Sequence, residues 1–306
     1  MKILVATSKP FAAVAVEGIR KVVEDAGAEL CLLEKYSEKS ALLDAIKDVD
    51  GVIIRSDILD KEVFDAAKNL KIAVRAGAGY DNVDLQAATD KGVCVMNTPG
   101  QNSNAVAELA FGMMVMVARN FYNGTSGTEL KGKKIGIHAY GQVGRNVARI
   151  AKGFGMEVYA FDPYCPDDVM KEQDVIPVHS AEELYATCQY ISLHVPATNE
   201  TKNSINLSLL SKMPQGATLV NTARKEVINE EDIVTMFESR PDFRYISDIA
   251  PANAAVITEK FPGRSFFTPK KMGAQTAEAN INAGIAAAKQ SIAYLKEGID
   301  KFRVNK

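Results

Sequence analysis

The stretch Lys134-Ile-Gly-Ile-His-Ala-Tyr-Gly-Gln-Val-Gly144 carries the reading that decides the fold. An apolar, β-favouring run ends at His138, a tight turn follows, and a helix opens at Gln142. The turn resembles G-x-G-x-x-G with Ala139 in the place of the first glycine. Gly141 would let the backbone approach a pyrophosphate, which sits where the unpaired N–H groups of a helix start point outward. Gly144 would allow close helix–strand packing. Glycines also serve purely structural strand–helix turns, so the next strand matters. That strand, Val158-Tyr-Ala-Phe161, ends in Asp162. An acidic residue there grips the adenosine ribose hydroxyls, and its charge repels a 2′-phosphate. Together these features predict a dinucleotide site for NAD rather than NADP.

The same alternation runs through the whole chain. Ile3–Ala6, Glu29–Leu33, Val52–Ile54, Ile72–Val74 and Val93–Met96 read as strands. Helical patterns lie between them at Phe11–Ala26, Ser40–Ile46, Lys61–Lys68 and Leu85–Lys91. The rhythm breaks at Asn97-Thr98-Pro99-Gly100, and a long helical pattern follows over Asn102–Phe121. A second series of strands comprises Lys134–His138, Glu157–Phe161, Tyr190–Leu193, Ala217–Asn221, Phe243–Ser247 and Ser265–Phe267. An alanine-rich pattern over Thr276–Glu297 closes the chain and is long enough to run between domains. Continuous apolar strands alternating with helices mean parallel sheets covered on both faces. The expectation is α/β: two doubly wound parallel-sheet domains, one of them discontinuous, with 98–276 inserted between 1–97 and 277–306.

Composition excludes other classes. At 306 residues the chain exceeds the roughly 100–200 residues of a usual domain. Hydrophobic residues make up 47% and charged residues 24%, as in ordinary globular proteins. A net charge of −2 argues against nucleic-acid and membrane-surface partners. The longest apolar stretch, Leu109 to Ala118, is far short of the ~20 residues a bilayer span needs. Cys31, Cys94, Cys165 and Cys188 are scattered, with no C-x-x-C pair, which reads as reduced thiols of a cytoplasmic protein with no metal site. The three histidines are His138, His179 and His194, so nothing beyond 194 can use an imidazole.

Several further segments resemble the D-2-hydroxyacid dehydrogenases: Gly127-Thr-Glu-Leu-Lys-Gly-Lys-Lys-Ile-Gly136, Ile191-Ser-Leu-His-Val-Pro-Ala-Thr-Asn-Glu-Thr201 and Leu219-Val-Asn-Thr-Ala-Arg224. Ile54-Arg55-Ser56, Arg75-Ala-Gly-Ala-Gly-Tyr-Asp-Asn-Val-Asp-Leu85 and Asn97-Thr-Pro-Gly-Gln-Asn-Ser103 look like the D-3-phosphoglycerate dehydrogenase branch. The resemblance implies a flavodoxin-like substrate domain, an inserted Rossmann NAD domain and an active site in the cleft. It also implies a homodimer formed through the NAD domain, for which the Asn102–Phe121 pattern offers an interface.

By the same matching, backbone N–H groups at Gly141, Gln142 and Val143 would hold the pyrophosphate. His194, Val195, Pro196 and Thr201 would line the cofactor groove. Thr222 and Ala223 would border the nicotinamide, and Asp248 would hold its carboxamide. Arg224 would fork onto the carboxylate of a small anionic 2-hydroxy acid and polarise the adjacent oxygen. The turn Ala76, Gly77, Ala78 and Gly79 would offer unhindered N–H groups to that carboxylate. Arg55, with Ser56 beside it, would meet a substrate phosphate.

One departure is plain. Most of the family uses a histidine in a Thr-Pro-His segment, oriented by a glutamate. Here the segments read Phe267-Thr-Pro-Lys-Lys-Met-Gly-Ala274 and Asp248-Ile-Ala-Pro251, so both members are gone. A lysine can take the proton if burial and positive neighbours lower its pKa. Counting back from Gly273-Ala274 places Lys271 at the histidine's position; counting forward from Thr268-Pro269 favours Lys270. Lys271 is the choice, and a small group within the family carries lysine here.

The resulting expectation is NAD-dependent oxidation of D-3-phosphoglycerate. The alternatives are a hydroxypyruvate, glyoxylate or other 2-hydroxyacid dehydrogenase, and a non-enzymatic NAD(H)-sensing protein suggested by the missing pair. With the given sequence ending just after its last helix, no serine feedback through a C-terminal domain is expected.

Overall fold

Two all-parallel sheets organise the chain in the computed structural model, which describes residues 1–305. The chain divides into two compact units, Met1–Asn102 together with Gln275 onward, and Ser103–Ala274.

The first unit holds β1 (Lys2–Thr7), β2 (Glu29–Glu34), β3 (Gly51–Ile54), β4 (Ile72–Arg75) and β5 (Cys94–Asn97). Their spatial order is β2-β1-β3-β4-β5, the flavodoxin-like arrangement. Gly51-Val-Ile-Ile54 is buried along its whole length, as a strand covered on both faces must be. The helices Ala13–Asp25 and Ala277–Glu297 pack against each other. Ala283, Gly284, Ala287 and Ala288 form the buried stripe of the latter, and small side chains let Ile19 of the former approach closely. Sequence length alone suggested that Ala277–Glu297 runs between domains. It lies wholly in the first unit, because its small-residue stripe is used up against Ala13–Asp25, β3 and β4. The chain end covers the outer edge of β5: Asn305 is buried, accepts from the Val95 N–H and donates to the Val93 carbonyl.

The second unit holds β6 (Lys134–His138), β7 (Glu157–Phe161), β8 (Ile176–Pro177), β9 (Tyr190–Leu193), β10 (Thr218–Asn221), β11 (Arg244–Ser247) and β12 (Ser265–Phe267). The order is β12-β11-β10-β9-β6-β7-β8, a Rossmann sheet. Strand order reverses between β6 and β9, and ligands of such sheets sit beyond the carboxyl ends of the strands at that reversal.

The helical pattern expected over Asn102–Phe121 is shorter in fact, Ser103–Ala118. Asn120, Phe121 and Tyr122 all take left-handed backbone angles, which end an α-helix. Arg244 explains the stop: its guanidinium donates to the Val117 carbonyl at 2.6 Å and to Asn120 Oδ1 at 3.2 Å. The two-residue β8 carries too little pattern to be read from sequence, and it joins the sheet through Tyr159 and Ala160.

Candidate active site

The turn between β6 and the helix Gln142–Gly153 is built as its glycines require. Ala139, standing where the fingerprint has glycine, takes the left-handed φ of 78°, a conformation that costs a residue with a Cβ about 1–2 kcal/mol. A Cβ on Gly144 would lie 2.5 Å from the Ala139 carbonyl oxygen, so the helix can leave the strand this closely only with glycine. Gly141 is different: nothing stands within 4 Å of where its Cβ would be. It caps the helix without a side-chain bond, so the N–H groups at the helix start are not taken up by a capping side chain, as an anion site requires.

Asp162 directly follows β7 and is held from two sides, accepting from the N–H groups of Tyr140 at 2.8 Å and Tyr164 at 2.9 Å. Beside it opens a cavity of about 640 Å³ lined by Gly141, Asp162, His194, Val195, Pro196 and Thr201, among others. Thr201 also shapes its own loop, since its hydroxyl donates to the Pro196 carbonyl and accepts from the Thr198 N–H. An NAD adenosine half fits this arrangement: open backbone at Gly141, a ribose acid at Asp162 and a roomy, largely apolar hollow.

His138 and His194 stand at the carboxyl ends of adjacent strands. His138 Nδ1 lies 3.3 Å from the Tyr185 hydroxyl, and His194 Nε2 lies 3.0 Å from the Ser192 hydroxyl. Burial pushes the His138 pKa down to about 4, against a weaker upward pull from Asp162. Burial takes His194 down to about 3, helped by the charges of His138 and Lys271. Both are neutral at pH 7, which suits cofactor lining and removes them as proton donors. An unfolded imidazole binds its proton near 6.5, so below that pH the unfolded state takes up protons that the folded one refuses. Melting temperature should therefore fall as pH drops from 6.5 towards 4, and His138→Asn should flatten that descent in a scanning-fluorimetry series. An unchanged slope would remove His138 from the account.

Beyond β10, the buried Asn221 shapes the turn that follows. Its Oδ1 accepts from the Ala223 N–H at 2.9 Å, and its Nδ2 donates to the Arg224 carbonyl at 3.1 Å. This presents Thr222, Ala223 and Arg224 in succession. The Thr222 hydroxyl is buried and makes no hydrogen bond, an orphaned polar group of the kind a bound ligand satisfies. Arg224 is exposed and donates only weakly, to the Ala223 carbonyl at 3.2 Å. Its guanidinium retains donors for a carboxylate.

Lys271 reaches the same turn. Its Nζ donates to the carbonyls of Thr222 at 2.9 Å and Ala223 at 2.7 Å, and to Asp248 Oδ1 at 2.7 Å. Burial and then the Arg224 charge lower its pKa from the usual lysine value, opposed by Asp248 and Glu226. Lys270 is exposed and its backbone carbonyl, not its amine, is tied in, by the Thr268 hydroxyl. Of the two lysines left open by sequence counting, Lys271 is the one brought to Arg224's turn. Asp248 is fully buried at the end of β11 and also accepts from the Gly273 N–H at 2.8 Å.

In the first unit, Arg55 and Ser56 follow β3, and the Ala76–Gly79 turn follows the adjacent β4. Arg55 is half-buried, with Nη1 on the Lys9 and Pro10 carbonyls and Nη2 on Asn280 Oδ1 at 2.7 Å. The turn is less open than its sequence suggests. The Ala76 N–H is committed to the Ile54 carbonyl at 2.8 Å, so Gly77, Ala78 and Gly79 are the donors it can offer. Moreover, the Arg75 guanidinium lies over Gly77, where a Cβ would stand 1.4 Å from its Nη1. The turn is thus hindered by its own arginine, and only glycine at 77 accommodates it.

Sequence reasoning passed over Asn221, Gly273, Asn280 and Arg75 as contributors. Asn221 and Arg75 lay inside quoted motifs, whereas Asn280 sits 225 positions from the arginine it holds and gives no local signal. Among the described residues no cluster of His, Cys, Asp and Glu forms a metal site, and no helix is long and apolar enough to cross a membrane.

A Rossmann sheet with this turn, acid and cavity defines a nicotinamide-dinucleotide-binding protein. The family can be named as well: the model of the D-isomer-specific 2-hydroxyacid dehydrogenase NAD-binding domain matches residues 100–261, and the chain belongs to that family of NAD-dependent enzymes. It is 48% identical to the NAD⁺-bound 3-phosphoglycerate dehydrogenase of Entamoeba histolytica, with a TM-score of 0.86 covering 100% of this chain and 99% of that one. It is 34% identical to a hydroxypyruvate reductase of Thermotoga maritima, over 84% of this chain and 88% of the relative. It is 35% identical to the D-3-phosphoglycerate dehydrogenase of Methanocaldococcus jannaschii, over 87% of this chain but 54% of the relative. The chain thus spans about half the length of that dehydrogenase.

Proposed function

We propose that the chain oxidises D-3-phosphoglycerate to 3-phosphohydroxypyruvate with NAD, the step that opens serine biosynthesis, as a cytoplasmic homodimer paired through its NAD-binding unit. In this reading the first unit holds substrate. The observation that carries it is Arg55. A guanidinium has five N–H donors, and the contacts to Lys9, Pro10 and Asn280 leave donors for a phosphate at the end of β3. Within the same unit, the adjacent Gly77–Gly79 N–H groups would serve the substrate carboxylate.

Bound NAD supplies the hydride acceptor at the substrate's C2. The chain's own groups do the rest. Arg224 orients the carboxylate and polarises the C2 oxygen. Lys271, as neutral amine, takes the hydroxyl proton in oxidation and returns it, as ammonium, in reduction. Thr222 and Ala223 border the ring, Asp162 holds the adenosine ribose, and Gly141, Gln142 and Val143 hold the pyrophosphate. In this reading Asp248 takes the carboxamide. Neutral His194 lines the groove and moves no proton.

One observation favours a second reading, reduction of an unphosphorylated 2-oxo acid such as hydroxypyruvate or glyoxylate. The Lys271 amine has an acceptor for each of three protons, which favours the ammonium, the form that gives up a proton in reduction. Arg55→Ala separates the readings. With NAD(H)-linked absorbance assays, kcat/KM for the phosphorylated substrate should fall about a hundredfold, the worth of a charge-assisted pair. Hydroxypyruvate should fall less than threefold. Equal losses would reject phosphate recognition by Arg55.

A further inference from the structure

We propose that Asp248 is the positioning carboxylate of Lys271, taking in this chain the part that a glutamate plays for the histidine elsewhere in the family. The inference rests on Lys271 as the acid–base group. Two features of the geometry lead to it.

The first is the completeness of the socket around Nζ. An ammonium offers three protons and no lone pair, and the Thr222 carbonyl, the Ala223 carbonyl and Asp248 Oδ1 accept all three at 2.9, 2.7 and 2.7 Å. A neutral amine has only two protons to give and would turn its lone pair on one of these acceptors. An imidazolium has two N–H groups, so this socket is made for lysine.

The second is the burial of the carboxylate itself. Asp248 has no exposed surface, and a buried charge is strongly unfavourable unless paired and hydrogen-bonded. Lys271 supplies the countercharge to Oδ1 and the Gly273 N–H binds Oδ2. Gly273 is also the residue that makes room, since a Cβ there would stand 2.7 Å from Oδ2. The Lys271–Met–Gly273 stretch therefore grips Asp248 from both sides with one turn of chain.

Burial and three charged groups set the state of the amine. Burial and the Arg224 guanidinium favour the neutral amine; Asp248 and Glu226 favour the ammonium. His194 is neutral and adds no charge at pH 7. In reduction one Nζ–H leaves its carbonyl acceptor in the Thr222–Ala223 turn for the substrate's C2 oxygen, and that Nζ–H bond breaks as an O–H bond forms there and hydride arrives at C2, leaving a neutral amine. In oxidation the amine lone pair, turned from the same carbonyl to the substrate, takes the hydroxyl proton. Asp248 thereby sets the pH at which Lys271 passes from donor to acceptor, and aims Nζ at the turn that presents Arg224.

The test is Asp248→Asn in the full chain, with kcat followed against pH in both directions and NADH affinity measured by fluorescence titration. Removing the negative charge should move the limb of the oxidation profile to lower pH by about one unit or more, and cut reduction at neutral pH at least tenfold. Asp248→Glu should restore the limb in part. A limb that stays in place while only NADH affinity falls would overturn the proposal and leave Asp248 a cofactor contact. If Asp248→Asn does not fold, Gly273→Ala decides: it displaces the carboxylate without removing its charge, and an unmoved limb there rejects the idea. Failure of the underlying reading is seen separately, as near-normal turnover in Lys271→Ala.

Discussion

Lys271→Ala should lose turnover by about a thousandfold to ten-thousandfold, the upper range of what one positioned acid–base group contributes, while NADH still binds. The separation is expected because the lysine amine bonds the Thr222 and Ala223 carbonyls and Asp248, whereas Asp162 and the Gly141 turn follow other strands. Stopped-flow or steady-state assays in both directions, with NADH affinity from fluorescence quenching, check both halves. Lys271→Arg should be nearly as inactive, because a guanidinium holds its proton at every accessible pH. Turnover within tenfold of the parent would remove Lys271 from the chemistry. Loss of NADH binding in step with turnover would make it a structural residue of the cofactor site.

Arg224→Ala should lower kcat/KM for every 2-hydroxy or 2-oxo acid by about a thousandfold, phosphorylated or not. The guanidinium is exposed, is bound only at 3.2 Å to the Ala223 carbonyl, and is carried by a turn that Asn221 holds from beneath. Its removal therefore takes away a ligand contact and little of the fold, and melting temperature should hardly change. Arg224→Lys should recover only part of the loss, since a point charge cannot fork onto a carboxylate and reach the carbonyl oxygen together. A loss below tenfold would place the substrate carboxylate elsewhere, with the Gly77–Gly79 N–H groups as its main ligands.

Much of the architecture is legible in the sequence. The β6 strand, the turn and the helix at Gln142 follow from local pattern, as does Asp162 at the end of β7. These are short-range features: apolar runs, glycine freedom and a strand-end acid all act within a few residues. Where reading stopped at local pattern it overran. The helix after Gly100 ends at Ala118 because Arg244, far along the chain, takes the Val117 carbonyl. The turn at Ala76–Gly79 looked open because Arg75's direction is a tertiary property.

By itself, the sequence determined that an imidazole is absent beyond residue 194 and that two lysines stand where the resemblance leads one to expect a histidine. Composition and order are enough for that, since no folding can create a missing side chain. Which lysine reaches the Thr222–Arg224 turn, and what it meets there, was decided by tertiary structure alone. Lys271 lies 23 residues from Asp248 and 49 from Thr222, on separate strands of one sheet, and only the parallel packing of β10, β11 and β12 brings their carboxyl ends together. The carboxylate that the motif assigns to the cofactor is also the buried partner of the lysine.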